Sequence, residues 1–85
     1  MNYVWTFCPR CSGQITIQFA ERADGIAGSL RRWSRDRSVN DGRLVELPLS
    51  AREADGGFRT ACVCGQEIVV HGADVQRATT ERPGT

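Results

Sequence analysis

Two stretches decide the fold: Thr6-Phe7-Cys8-Pro9-Arg10-Cys11-Ser12-Gly13-Gln14-Ile15-Thr16-Ile17 and Thr60-Ala61-Cys62-Val63-Cys64-Gly65-Gln66-Glu67-Ile68-Val69-Val70. Each runs threonine, one apolar residue, cysteine, a tight turn, a second cysteine, then Gly-Gln and an apolar strand. The repeat is weak and short. It is the pattern of two hairpin knuckles that face each other, each with two thiols at its tip.

These four cysteines are all the chain contains. They fall in a Cys-x2-Cys pair and a Cys-x-Cys pair with fifty residues, 12–61, between them. A tetrahedral metal needs four ligands, and one tight turn can direct two thiolates to the same side. A second knuckle must then bring the other two. Glycine after each pair, at Gly13 and Gly65, suits turns that need a positive φ. Cys8, Cys11, Cys62 and Cys64 are therefore the expected ligands of one zinc ion. Iron fits the same four-thiolate cage. Two disulfides, or buried thiols without a metal, are the competing structural readings. His71, the only histidine, could replace a badly placed thiol, but a strand-end position without a metal role is the simpler expectation. Cys-Pro-Arg-Cys also looks like a redox dithiol. Such motifs sit at a helix N-terminus in a βαβ unit, however, and here an alternating strand follows.

Outward from the first knuckle, Asn2-Tyr3-Val4-Trp5-Thr6-Phe7 is β-branched and aromatic, which favours a strand. Alternation puts Tyr3, Trp5 and Phe7 on one face and Val4 and Thr6 on the other. On the far side, Gln14-Ile15-Thr16-Ile17-Gln18-Phe19-Ala20 is the clearest period-2 pattern in the chain, with Ile15, Ile17 and Phe19 on one face. Around the second knuckle, 58–61 leads in and 67–71 leads out.

Residues 21–57 form an insertion between the knuckles, too long to lack structure in a compact domain. Ser29 suits the N-cap of a short helix over 30–36, with Leu30 and Trp33 at i, i+3 facing the core. Asn40-Asp41-Gly42 is a turn signal, 43–47 (RLVEL) a third strand, and 50–54 a helical turn. The expected domain is residues 1–75, followed by a polar tail, 76–85, that frays.

A chain of 85 residues with 40% apolar and 7% aromatic content makes one small domain, marginal without a metal, disulfide or partner. Net charge is +1, which disfavours a uniformly cationic surface. The basicity is local: residues 31–37 (RRWSRDR) carry Arg31, Arg32, Arg35 and Arg37 against one aspartate. All eleven basic residues are arginine. GC-rich codon usage explains this simply and suggests a bacterial or phage source. No basic n-region with an apolar run is visible and no stretch approaches the ~18 apolar residues of a spanning helix. A soluble, cytoplasmic protein is expected, in a compartment where thiols stay reduced.

Cys8-Pro9-Arg10-Cys11-Ser12-Gly13 and Cys62-Val63-Cys64-Gly65 resemble the rubredoxin-like knuckles of the zinc-ribbon family. The resemblance covers the two hairpins and not the insertion, and the second knuckle is one residue shorter than the family's Cys-x2-Cys-Gly. It implies a small β-rich, metal-stabilised fold: two knuckle hairpins, plus a third strand and a short helix in the insertion.

A four-thiolate zinc is coordinatively closed and leaves no place for water. One histidine gives few ways to build a nucleophilic triad, and Gly25-Ile26-Ala27-Gly28 lacks the Lys-Ser/Thr of a phosphate loop. A non-enzymatic module is expected, with no small-molecule substrate and no membrane. Its partner is expected to be a protein: the chain would serve as a structural or adaptor subunit that docks an apolar face such as Tyr3, Trp5 and Phe7 on a larger assembly. The alternative is DNA or RNA, bound through Arg31, Arg32, Arg35 and Arg37 with Trp33 stacking on a base. The near-neutral net charge favours the first, and the clustered arginines favour the second.

Overall fold

The structure is a computed structural model and describes residues 2–36 and 38–78. Strands β1 (Asn2–Phe7), β2 (Gln14–Arg22), β3 (Gly25–Trp33) and β4 (Val39–Pro48) pair antiparallel in chain order as one four-stranded sheet. A single 3-10 turn, Leu49–Ala51, follows β4. Strands β5 (Phe58–Ala61) and β6 (Glu67–Val70) form a separate hairpin, and helix α1 (Gly72–Ala78) closes the described chain.

Alternation in β2 sets the sheet's two faces. Ile15, Ile17 and Phe19 are fully buried, and the register Val4↔Ile17 puts Val4 beside them on the inner face. Ile26, Leu30 and Val45 continue that face across β3 and β4. The β5–β6 hairpin covers it with Phe58, Ile68 and Val70, and Phe19 meets Phe58 edge-on with ring centroids 5.1 Å apart. Helix α1 adds Val75 and Ala78. Tyr3, Trp5 and Phe7 therefore point to the open face; Trp5 is 50% and Phe7 67% exposed.

The small β-rich fold and the two knuckle hairpins agree with the sequence reading. The insertion differs from it in several places. Residues 30–33, read as the start of a helix under a Ser29 N-cap, lie in β3, hydrogen-bonded on both sides by β2 and β4. In a strand, i and i+3 fall on opposite faces. Leu30 is in the core, whereas Trp33 is half-buried on the open face. Asn40-Asp41-Gly42 does not turn the chain but runs within β4. The reversal lies at 34–38, where the Ser34 N–H donates to the Ser38 carbonyl at 2.8 Å and the Asp36 carboxylate accepts from the Ser38 N–H at 3.0 Å. The helical turn expected over 50–54 is the 3-10 turn at Leu49–Ala51. Gln76, Arg77 and Ala78, read as the start of a frayed tail, complete α1, with Ala78 buried. Arg37 and residues 79–85 lie outside the described residues.

Candidate metal centre

β1 delivers Cys8 and β5 delivers Cys62, each at the first turn residue after a strand, and both thiols are buried. In the first knuckle the Cys8 N–H donates to the Gly13 carbonyl (3.0 Å) and the Ser12 N–H to the Cys8 carbonyl (2.9 Å). In the second, the Cys62 N–H donates to the Gln66 carbonyl and the Gly65 N–H to the Cys62 carbonyl, both at 2.8 Å. Each bond of the second knuckle spans one residue fewer than its counterpart. The shorter Cys-x-Cys thus closes as a tighter version of the same turn. The left-handed position falls on Gly65 (φ 94°) in the second knuckle but on Ser12 (φ 59°), not Gly13, in the first.

The two knuckles face each other across the inner face of the sheet. Cys8, Cys11, Cys62 and Cys64 bring all four Sγ atoms within 4.8 Å of one another. Cys8 Sγ is 3.5 Å from Cys64 Sγ, and Cys11 Sγ is 3.9 Å from Cys62 Sγ. A regular tetrahedron of sulfurs around an ion at ~2.3 Å has edges of about 3.8 Å, between the two observed separations. All four are free thiols rather than disulfides. The Cys11 N–H also points at Cys8 Sγ, 3.5 Å away. The donor set can hold a metal ion.

Arg32 was expected on a binding patch. The register Ile15↔Arg32↔Asp41 places it instead on the inner face, ion-paired with Asp41 and with its guanidinium beside the Cys11 thiol. Just beyond it, a bulge between Arg32 and Trp33 shifts the pairing with β4. Gly13 makes the room: a β-carbon there would sit 2.8 Å from Arg32 Cγ. The Gly13 N–H first, then Arg32, draw the Cys11 thiol down to about 6, while burial pushes Cys62 up to about 12. Without a cation the buried Cys62 stays protonated at neutral pH. A divalent ion deprotonates such a thiol outright, and so would place all four in the ligating state.

The other candidates disperse. Arg31 lies on the open face, Arg32 on the inner face and Arg35 is exposed just after β3, so Arg31, Arg32 and Arg35 do not form one patch. His71 sits at the end of β6 opposite the knuckle and is not among the clustered ligands. Its carbonyl accepts from the Asp74 and Val75 N–H groups as α1 begins. Asp41 and the inward role of Arg32 escaped the sequence reading. Their only trace is a charged residue where strand alternation calls for an apolar one. Among the described residues no helix is long and apolar enough to cross a membrane. Comparison with protein-family models, with curated proteins and with solved structures returned no match.

Proposed function

We propose that the four thiolates hold one zinc ion as a closed structural centre, in the manner of a zinc ribbon, and that the chain is a non-catalytic module presenting its open sheet face to a macromolecular partner. The observation that carries the metal reading is the mutual approach of the four Sγ atoms, all within 4.8 Å. With four protein sulfurs around it, the ion has no open position for substrate or water, so its contribution is to folding. The core is small, and two facing knuckles joined through one ion supply the missing cross-link between sheet and hairpin.

The binding reading rests on apolar side chains the core does not use: Trp5, Phe7 and Leu44 are at least half exposed on one face. A protein assembly would dry these residues. Nucleic acid is the second reading. The placement of Trp33 on the same face as Arg31, rather than in the core, favours it.

Elemental analysis of the purified protein tests the metal: one zinc per chain is expected, and a chelator strong enough to remove it should abolish the β-sheet signal in circular dichroism. Iron at that stoichiometry would replace zinc in this reading. A metal-free protein with an unchanged spectrum would end it.

A further inference from the structure

Strand register arranges the open face in rows. Trp5, Thr16 and Arg31 form one; Phe7, Gln14 and Trp33 form the next toward the knuckle; Tyr3, Gln18 and Ser29 form the next away from it. Rows are about 6.8 Å apart along the strands, and β1 lies about 10 Å from β3. Tyr3, Trp5, Thr16, Arg31 and Trp33 share one cleft, and Trp33 also borders an adjoining cleft that reaches Phe7 and Arg35. The Trp33 Nε1–H donates to Thr16 Oγ1 at 2.7 Å, which pins the indole with its polar edge satisfied. Among the described residues the only ring-to-ring contact is Phe19 with Phe58 in the core, so the outer rings do not stack on one another. Arg31 and Arg35 make no ion pair or hydrogen bond among the described residues. No carboxylate lines either cleft.

We infer that this face binds single-stranded nucleic acid, with bases stacked on Trp5, Trp33 and Tyr3 and phosphates on Arg31 and Arg35. The inference rests on the open-face binding module proposed above and names its partner. Pre-positioned flat rings suit bases, which offer a π-face whatever their sequence. A duplex keeps those faces inside its own stack, so the strand must be single. An aromatic cage for a quaternary ammonium is opposed by the guanidinium in the same cleft. A protein interface would be apolar at its centre, whereas here the half-buried Gln14 and Gln18 of β2 and the exposed Arg31 of β3 interrupt the aromatic side chains on the two central strands. Arg31 and Arg35, paired with no carboxylate among the described residues, complement a phosphate backbone.

The test uses the full, zinc-loaded chain and fluorescence polarisation with labelled eight-nucleotide oligo-U, oligo-dT and a duplex of the same length. Single strands should bind at low salt, more tightly than the duplex, with a slope of log K against log salt of about −1.4 for two phosphate contacts. Arg31→Ala should reduce that slope by about 0.7, and Trp5→Ala should weaken binding about tenfold or more. Both side chains are on the surface, and unchanged zinc content and melting temperature would show the variants folded. Three results would overturn the inference: neither single strand binding at low salt, duplex binding as tightly with no effect of Trp5→Ala, or self-association of the chain that Trp5→Ala abolishes, which would give the face to a second copy. In each case a zinc-loaded, folded wild type would leave the metal reading standing, whereas a protein that takes up no metal would remove that reading instead.

Discussion

Replacing one sulfur leaves three thiols and an incomplete shell. Cys11→Ser and Cys62→Ser are therefore expected to lose the metal and unfold at 25 °C, because bound zinc contributes roughly 10–16 kcal/mol apparent in small peptides, more than a domain of this size has to spare. Circular dichroism with elemental analysis checks this; a Cys11→Ser protein that melts like wild type would contradict it. Arg32 acts one layer out. Its guanidinium meets the Cys11 sulfur and Asp41, placing positive charge beside a four-thiolate centre that carries −2 with a divalent ion. Arg32→Gln should weaken zinc retention about 10–100-fold in competition with a chromophoric chelator. Gly13→Ala, whose methyl would press on the Arg32 stem, should shift retention in the same direction. The cysteine spacing made the four-sulfur cluster legible, because two short turns can bring thiols to one point in few ways. The Arg32 role was not legible, since nothing local separates a solvent-facing arginine from one drawn inward to a ligand.

At the scale of elements, β3 explains what the sequence concealed. Its inner face is Ile26, Gly28, Leu30 and Arg32. The apolar alternation is broken twice, by Gly28 where β2 passes close and by Arg32 where the cysteine cluster and Asp41 take the side chain. With those positions discounted, the period is 2; with them counted, Leu30 and Trp33 suggested a helix. A β-carbon on Gly28 would lie 2.1 Å from the Gln18 carbonyl oxygen. Gly28→Ala should destabilise the domain by about 1–3 kcal/mol, as overpacking does, read from urea midpoints of the zinc-loaded protein. Helix α1 was hidden by its brevity, with only Val75 and Ala78 as buried side chains among its apolar anchors. It is tied to the loop before β5 by Asp55, whose carboxylate accepts from the Gly72 N–H at 2.9 Å and the Gly57 N–H at 2.8 Å. Those two donors, Gly72 first, hold the Asp55 carboxyl below its ordinary 3.8. A depressed folded-state pKa means the unfolded chain binds the proton more tightly, so the contribution is complete above 3.8 and disappears as pH falls through the lowered value. Asp55→Asn should lower the melting temperature at pH 7, and the gap should shrink as pH falls below the ordinary 3.8. A gap that persisted undiminished in strong acid would contradict this.

On the scale of the whole molecule, the sheet and the hairpin are joined by one core and one cluster of sulfurs. The hairpin's Phe58, Ile68 and Val70 dry the inner face, but a two-stranded hairpin has little stability of its own. Its four-residue strands need an anchor at the knuckle end, and the cluster lies there. The open face keeps Trp5, Phe7, Leu44 and Arg31 exposed, outside that core. X-ray absorption at the zinc edge of the purified protein examines the joint between the two halves most directly. The account predicts a single shell of four sulfurs at about 2.3 Å with no nitrogen or oxygen. A mixed shell containing a histidine nitrogen or water, or fewer than four sulfurs per zinc, would contradict it.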